Sequence, residues 1–203
     1  TRGFAARGAL TAAFVNDSDS PLAQAAAWSF ALHAGEETSI AASKSFIAQL
    51  VAGARWVAAW QDDAMWAAAI DTLPGALALA LDAGSTWAER AVPLLVDAER
   101  MFVVGRGTGL AIAMEAALKL KEVCGIQAEA FSGAELRHGP LALIEPGYPV
   151  LMFAPRGPAQ AGLLALADDL RARGAQVLEA CDAADAALPL RIAAATELDP
   201  LCA

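Results

Sequence analysis

The chain has 203 residues, 57% of them hydrophobic and many of these alanine, enough for one large domain or two small α/β units with a bias to helix. A formal net charge of −9 with no basic block excludes an electrostatic fit to nucleic acid. There is no uninterrupted apolar run of about 18 residues, and Cys124, Cys181 and Cys202 never form a Cys-x-x-Cys pair. These features argue against a membrane span, a zinc site and a disulfide framework, and a reducing, cytoplasmic setting without metal or cofactor is expected.

In chain order, Thr1 to Arg7 reads as the end of a helix stopped by Gly8 in the left-handed cap position, and Ala9 to Val15 as a short buried strand. A chain rarely opens on a helix end, so further sequence is expected before Thr1. Asn16 to Pro21 is a loop signal at the carboxyl end of that strand, where parallel sheets place ligands. Trp28 to Leu32 follows as a second strand. Ser39 is expected to cap a helix over Ile40 to Gln61, whose apolar residues recur at helical spacing through Phe46, Leu50, Val57 and Trp60.

Asp62 to Ile70, Leu77 to Asp82 and Thr86 to Leu95 are expected as separate helices, punctuated by Pro74, Gly75, Gly84 and Pro93, and together they read as a linker. The tryptophans at 28, 56, 60, 66 and 87 fit packing in this helical region or at a subunit interface. A second unit then opens with strand Met101 to Val104, a Gly105-Arg106-Gly107-Thr108-Gly109 turn and a helix over Leu110 to Val123. Gln127 to Phe131, a small helix at Ser132 to Leu136, strands at Val150 to Ala154 and Gln176 to Glu179, a helix over Ala159 to Arg173 and a strand at Leu190 to Ala194 complete the pattern. Strand and helix alternating in short steps imply a parallel sheet with helices on both faces.

Glu115, Lys119 and Glu122 stand at i, i+4 and i+7 and so share one face of the Leu110 to Val123 helix. That face suits a base tuned by an ammonium, and equally an ordinary solvated stripe of ion pairs. His138 follows in a turn before Gly139-Pro140, where an exposed ring can exchange protons near neutral pH or serve as a bland surface residue. His33, at a strand end, fits a structural role better. The Gly105 to Gly109 turn offers backbone N–H groups to an anion, but Leu110 breaks a full G-x-G-x-x-G pattern and a dinucleotide site is only weakly supported. Ser39 to Ser45 supplies hydroxyls and Lys44 at a helix start, suited to a phosphate, to sugar hydroxyls or simply to capping.

The segments Ala117 to Glu122, Ala128 to Phe131 and Glu135 to Ile144, with Gly105-Arg106-Gly107 and Ala41 to Phe46, resemble the sugar isomerase (SIS) domain of glucosamine-6-phosphate synthase and its relatives, among them the stand-alone glucosamine-6-phosphate deaminase type. The resemblance covers most of Gly35 to Pro155. It implies an α/β fold of tandem SIS units, each a flavodoxin-like five-stranded parallel sheet flanked by helices. Residues 1–85 would hold the C-terminal part of a first unit, incomplete at its N-terminus, plus the linker. Residues 86–203 would hold the second unit, without the family's C-terminal tail.

By the same resemblance Glu122 moves a proton between adjacent sugar carbons, Lys119 assists it, Glu115 supports the network, and His138, shared across a homodimer, opens the sugar ring. Ala42, Ser43 and Lys44 match a substrate-binding segment, with Ala42 standing where the synthase has serine, a loss that points toward the stand-alone subgroup. The family's serine-rich phosphate loop would lie before Thr1. The expected substrate is an amino or keto hexose 6-phosphate, handled by aldose–ketose proton transfer with amination or deamination possible and without a glutaminase domain in the chain. The alternative is a non-catalytic phosphosugar-binding regulator. Such an isomerase raises the working pKa of its glutamate only if water is excluded from it, and Met114, Leu118 and Val123 are expected to provide the apolar cover.

Overall fold

The computed structural model describes residues 1–182 and 198–202, which form two compact units, Thr1–Ile70 and Asp71–Ala203. The strand expected at Leu190 to Ala194 lies outside the described residues. Both units are α/β, with parallel strands flanked by helices.

In the first unit a short helix, α1 (Arg2–Ala5), leads through Gly8, whose φ of 81° is left-handed, into strand β1 (Ala12–Val15). The Asn16 to Ser20 loop does more than turn the chain: the Ser20 hydroxyl accepts the Ala23 N–H at 3.3 Å and Pro21 opens a five-residue helix, α2 (Pro21–Ala25). Strand β2 (Trp28–Ala31) returns parallel to β1 with Ala12 opposite Trp28 and Val15 opposite Ala31. Helix α3 (Lys44–Gln61) starts four residues later than its apolar spacing predicts. Trp56 of α3 meets Phe14 edge-on at 6.1 Å and Trp60 at 5.4 Å, while Phe14 stacks on Phe30 at 5.2 Å, so these tryptophans belong to an aromatic packing row.

Helix α4 (Ala64–Asp71) is followed by α5 (Leu73–Leu95), one continuous helix where two were expected. Pro74 occupies its first turn, where a missing N–H costs nothing, and Pro93 sits near its end. Buried Leu73, Ala76, Ala80 and Ala91 recur at helical spacing along it, and such packing outweighs the breaks that Gly75 and Gly84 invite. By length and composition Ala64–Glu89 would pass for a membrane span, yet it divides into α4 and α5 and carries Asp71, Asp82 and Glu89.

The second unit is built on strands β3 (Arg100–Gly105), β4 (Gln127–Ser132), β5 (Pro149–Phe153) and β6 (Gln176–Ala180), parallel and ordered β4-β3-β5-β6. Helix α6 (Thr108–Cys124) connects β3 to β4. Helix α7 (Gly133–Leu136) and a 3₁₀ turn (Pro140–Leu143) connect β4 to β5, and α8 (Gln160–Ala172) connects β5 to β6. A last helix, α9, spans Asp199–Cys202. Four strands are present among the described residues, where the resemblance implies five.

The inner strands β3 and β5 are buried on both faces and are apolar runs whose neighbouring residues point opposite ways, while β4 keeps Gln127 and Glu129 exposed. Phe102, Val104, Val150 and Met152 pack with Leu163, Leu166 and Leu170 of α8. Met101, Val103, Leu151 and Phe153 pack with Ala113 and Ala117 of α6 and Ala91 of α5. Replacing any of the three α8 leucines by alanine removes side-chain volume from a closed core, a change that typically costs about 2–5 kcal/mol.

The junction of β3 and α6 is the tightest point. A methyl group on Gly105 would run into the Gly109 carbonyl and lie 2.8 Å from the Leu110 nitrogen, and one on Gly109 would lie 3.1 Å from Pro155 Cδ. Gly107, with φ of 60°, makes the turn between them. Because the obstruction at Gly105 is backbone, Gly105→Ala should destabilise the fold by at least about 3 kcal/mol. Gly109→Ala, which meets a proline ring edge, should cost about 1–2 kcal/mol. Urea unfolding of the two variants side by side checks the order.

Candidate active site

Helix α6 buries Ala113 and Ala117 against the sheet, and this choice of small residues lets it lie close. The rest of its surface is thereby turned outward. Glu115, Lys119 and Glu122 meet on that surface: the Lys119 ammonium lies 3.2 Å from Glu115 Oε1 and 2.9 Å from Glu122 Oε2. All three side chains keep between a fifth and a third of their surface open. The hydrogen bond to Glu122 is the main cause that holds the Lys119 ammonium above its ordinary pKa; burial opposes it, and the bond to Glu115 adds to the rise. The lysine is thus a fixed positive charge at neutral pH, bridging two carboxylates.

The apolar cover expected over this group is not there. Met114 is 59% exposed, Leu118 41% and Val123 69%. Being adjacent in sequence to the charged residues, they share the outward side of the helix and lie beside the ionic group, not over it.

His138 lies on the turn after α7, at the carboxyl end of β4, with its ring exposed. Among the described residues the ring makes no hydrogen bond or ion pair, and the structure does not join it to the Lys119 group through a bond. The turn that carries it is well built. The Ser132 hydroxyl accepts the Ala134 N–H at 3.3 Å, the Glu135 carboxylate accepts the Ser132 N–H at 3.1 Å, and Leu136 is fully buried.

Ala42, Ser43 and Lys44 come together at the start of α3, in the first unit. Ser43 takes the N-cap place, but its side chain makes no cap bond, and neither does Ser39. Glu37 does that work from outside the helix: its Oε2 accepts the Ser45 N–H at 2.8 Å and the Ser45 hydroxyl at 2.9 Å. The bond from the Ser45 N–H is the first cause that holds Glu37 below the usual carboxylate value. The Lys44 ammonium donates to the Glu36 carbonyl, 2.5 Å away, which folds the preceding loop back on the helix start.

β3 connects onward to β4 on one side and its other neighbour β5 connects onward to β6, so the connections leave the carboxyl ends of β3 and β5 in opposite directions, the kind of place where open parallel sheets hold ligands. The Gly105 to Thr108 turn stands there, and so does an arrangement that sequence reasoning missed. Arg156, just past β5, grips fully buried Asp199 through Nε at 2.6 Å, through Nη2 and through its own N–H at 3.2 Å. Asp182 lies 3.4 Å from the same guanidinium and accepts the Gln160 amide at 2.8 Å. The only signal in the sequence is an aspartate set between Leu198 and Pro200, too slight to pair with a residue 43 positions away. Among the described residues no group of three His, Cys, Asp or Glu side chains is placed to hold a metal ion.

Comparison with known proteins agrees with the motif and the fold. Residues 94–191 match the SIS domain family. The chain is 36% identical over 171 residues to a glutamine–fructose-6-phosphate aminotransferase (isomerizing) of Leifsonia xyli, an alignment covering 77% of this chain and 27% of that protein. Among solved structures it is similar to a candidate phosphosugar isomerase from Silicibacter pomeroyi, with 38% identity and a TM-score of 0.87 over 99% of this chain and 61% of that one. It is also similar to the C-terminal domain of a glucosamine-fructose-6-phosphate aminotransferase from Francisella tularensis, with 29% identity and a TM-score of 0.83 over 94% of this chain and 58% of that one. The chain therefore spans about a third or less of the length of the curated relative it matches.

Two outcomes follow from the geometry. Because its pKa is raised, Lys119 binds its proton more tightly folded than unfolded, so its contribution to stability is complete below the ordinary lysine value and is lost as pH rises through the folded one. Nitrogen-detected titration should show Lys119 holding its proton above the ordinary lysine pKa, and Glu122→Gln should bring it down. Separately, Asp199→Ala leaves a part-buried guanidinium without its main partner and should cost about 2–3 kcal/mol, discounted from a fully buried pair because Arg156 retains some solvent contact. Thermal unfolding of the variant measures it.

Proposed function

We propose that this chain, which carries a SIS domain over residues 94–191, is the sugar-isomerising part of an enzyme that acts on an amino or keto hexose 6-phosphate. The observation that carries the reading is Lys119 bridging Glu115 and Glu122 on one face of a helix inside that domain. Interconversion of a ketose and an aldose requires one base to remove a proton from a carbon and return it to the adjacent carbon through an enediol or, with nitrogen present, an enamine. Glu122 is assigned that part. Its bond to Lys119 runs through Oε2, so the ammonium holds the carboxylate through one oxygen and leaves the other for the proton transfer.

Glu115 shares the charge of Lys119 and keeps the ammonium from neutralising Glu122 outright. His138 is assigned the proton exchange at the ring oxygen that opens the sugar, and its exposed, unbonded ring is suited to reaching a substrate held by another subunit. Ala42, Ser43 and Lys44 are assigned to substrate binding, with backbone and hydroxyl donors at the start of α3. The tandem arrangement, with units at 1–85 and 86–203, and the homodimer belong to the same reading. The exposed Met114, Leu118 and Val123 support the homodimer: an apolar row beside a working carboxylate would be closed to water by a second copy.

The test is turnover by the complete protein of fructose 6-phosphate with ammonia, and of glucosamine 6-phosphate. Glu122→Gln should lower kcat by about 10²-fold or more with KM little changed. Unchanged turnover would remove Glu122 from the chemistry. Tight binding of both sugars with no turnover in the parent protein would favour a phosphosugar-sensing regulator instead.

A further inference from the structure

We infer that Glu135 is a positioning residue, which sets where His138 stands and takes no part itself in proton transfer. The inference rests on the reading of His138 as the ring-opening group. A glutamate three residues before that histidine invites a chemical role, and the geometry assigns it another. Its Oε2 accepts the backbone N–H of Ser132 at 3.1 Å, closing a capping box with the Ser132 hydroxyl, which accepts the Ala134 N–H at 3.3 Å. Its carbonyl accepts the His138 N–H at 2.9 Å. One residue thus holds both ends of the Ser132 to His138 turn, the start through its side chain and the end through its main chain.

Two further contacts fix the orientation of that turn. Leu136, fully buried with Val104, Leu163 and Leu166, pins its inner side to the core. Arg137, next to the histidine, forms an ion pair with Asp169 of α8 at 3.0 Å. That pair is about half exposed and so adds little by itself. The capping box carries most of the restraint because Ser132 is also the last residue of β4, paired in register with Gly105 at the end of β3. The turn bearing His138 and the helix bearing Glu122 therefore spring from two paired residues of adjacent strands.

Glutamine completes a capping box as glutamate does, whereas alanine cannot, and neither substitute can exchange a proton. The experiment compares Glu135→Gln and Glu135→Ala in the complete protein by turnover, by the pH profile of turnover and by NMR of the His138 ring. The signal that disappears in His138→Gln is assigned to the His138 ring. Glu135→Ala should lower kcat about tenfold at unaltered apparent pKa values, shift the His138 ring signal and speed amide exchange over Ser132 to His138 by about fivefold. Glu135→Gln should stay within twofold of the parent in every measure.

If Glu135→Gln loses as much activity as Glu135→Ala while its His138 signal and amide exchange match the parent, the carboxylate acts chemically and the inference falls. It also falls if Glu135→Ala leaves the ring signal and exchange unmoved. Should the parent protein turn over neither sugar, the functional reading fails by itself, and the NMR comparison still decides what Glu135 does.

Discussion

The second unit depends on how closely α6 can approach the end of β3. Gly105 and Gly109 let the backbone of the helix lie where any side chain would collide, and Ala113 and Ala117 continue that close approach along the sheet. A helix held this near has no freedom to rotate. Its rotation decides which side chains face outward, so the meeting of Glu115, Lys119 and Glu122 follows from four small residues that carry no chemistry.

The unit spends its charges in two ways. On α6 one ammonium joins two carboxylates, and all three groups keep partial contact with water. At the carboxyl ends of β5 and β6, and under α8, carboxylates are enclosed instead. Asp199 is held by Arg156, and Glu179 lies 3.0 Å from Arg171. These pairs tie segments together. Burial separates the two uses: the accessible group suits reaction and the enclosed ones suit structure.

Strands β3 and β5 were legible because their apolar runs are bounded by glycine, proline and charge, whereas β4, with Gln127 and Glu129 exposed, showed only as a short segment. The order of Glu115, Lys119 and Glu122 on a helix was legible for an equally local reason. What was not legible came from contacts distant in the chain. Nothing near Thr86 says that α5 runs unbroken past Gly84, since burial at Leu73, Ala76, Ala80 and Ala91 decides it. Nothing near Ser39 says that Glu37 will cap Ser45, and Arg156 gives no sign of Asp199. The cover expected from Met114, Leu118 and Val123 failed because sequence adjacency on a helix places residues side by side, and enclosure requires something above them.

Helix α7 has only four residues, against the roughly 12–15 that a helix needs to persist alone in water. It has almost no cooperative helical stability to draw on, and its shape is borrowed from the strand end before it and from the core beneath Leu136. His138 is therefore coupled to the packing of Val104, Leu163 and Leu166, none of which touches a substrate in the proposed chemistry. A change of volume among those three would be transmitted as a displacement of the imidazole, so the tolerance of this core to sequence drift is set by the accuracy that a surface histidine requires.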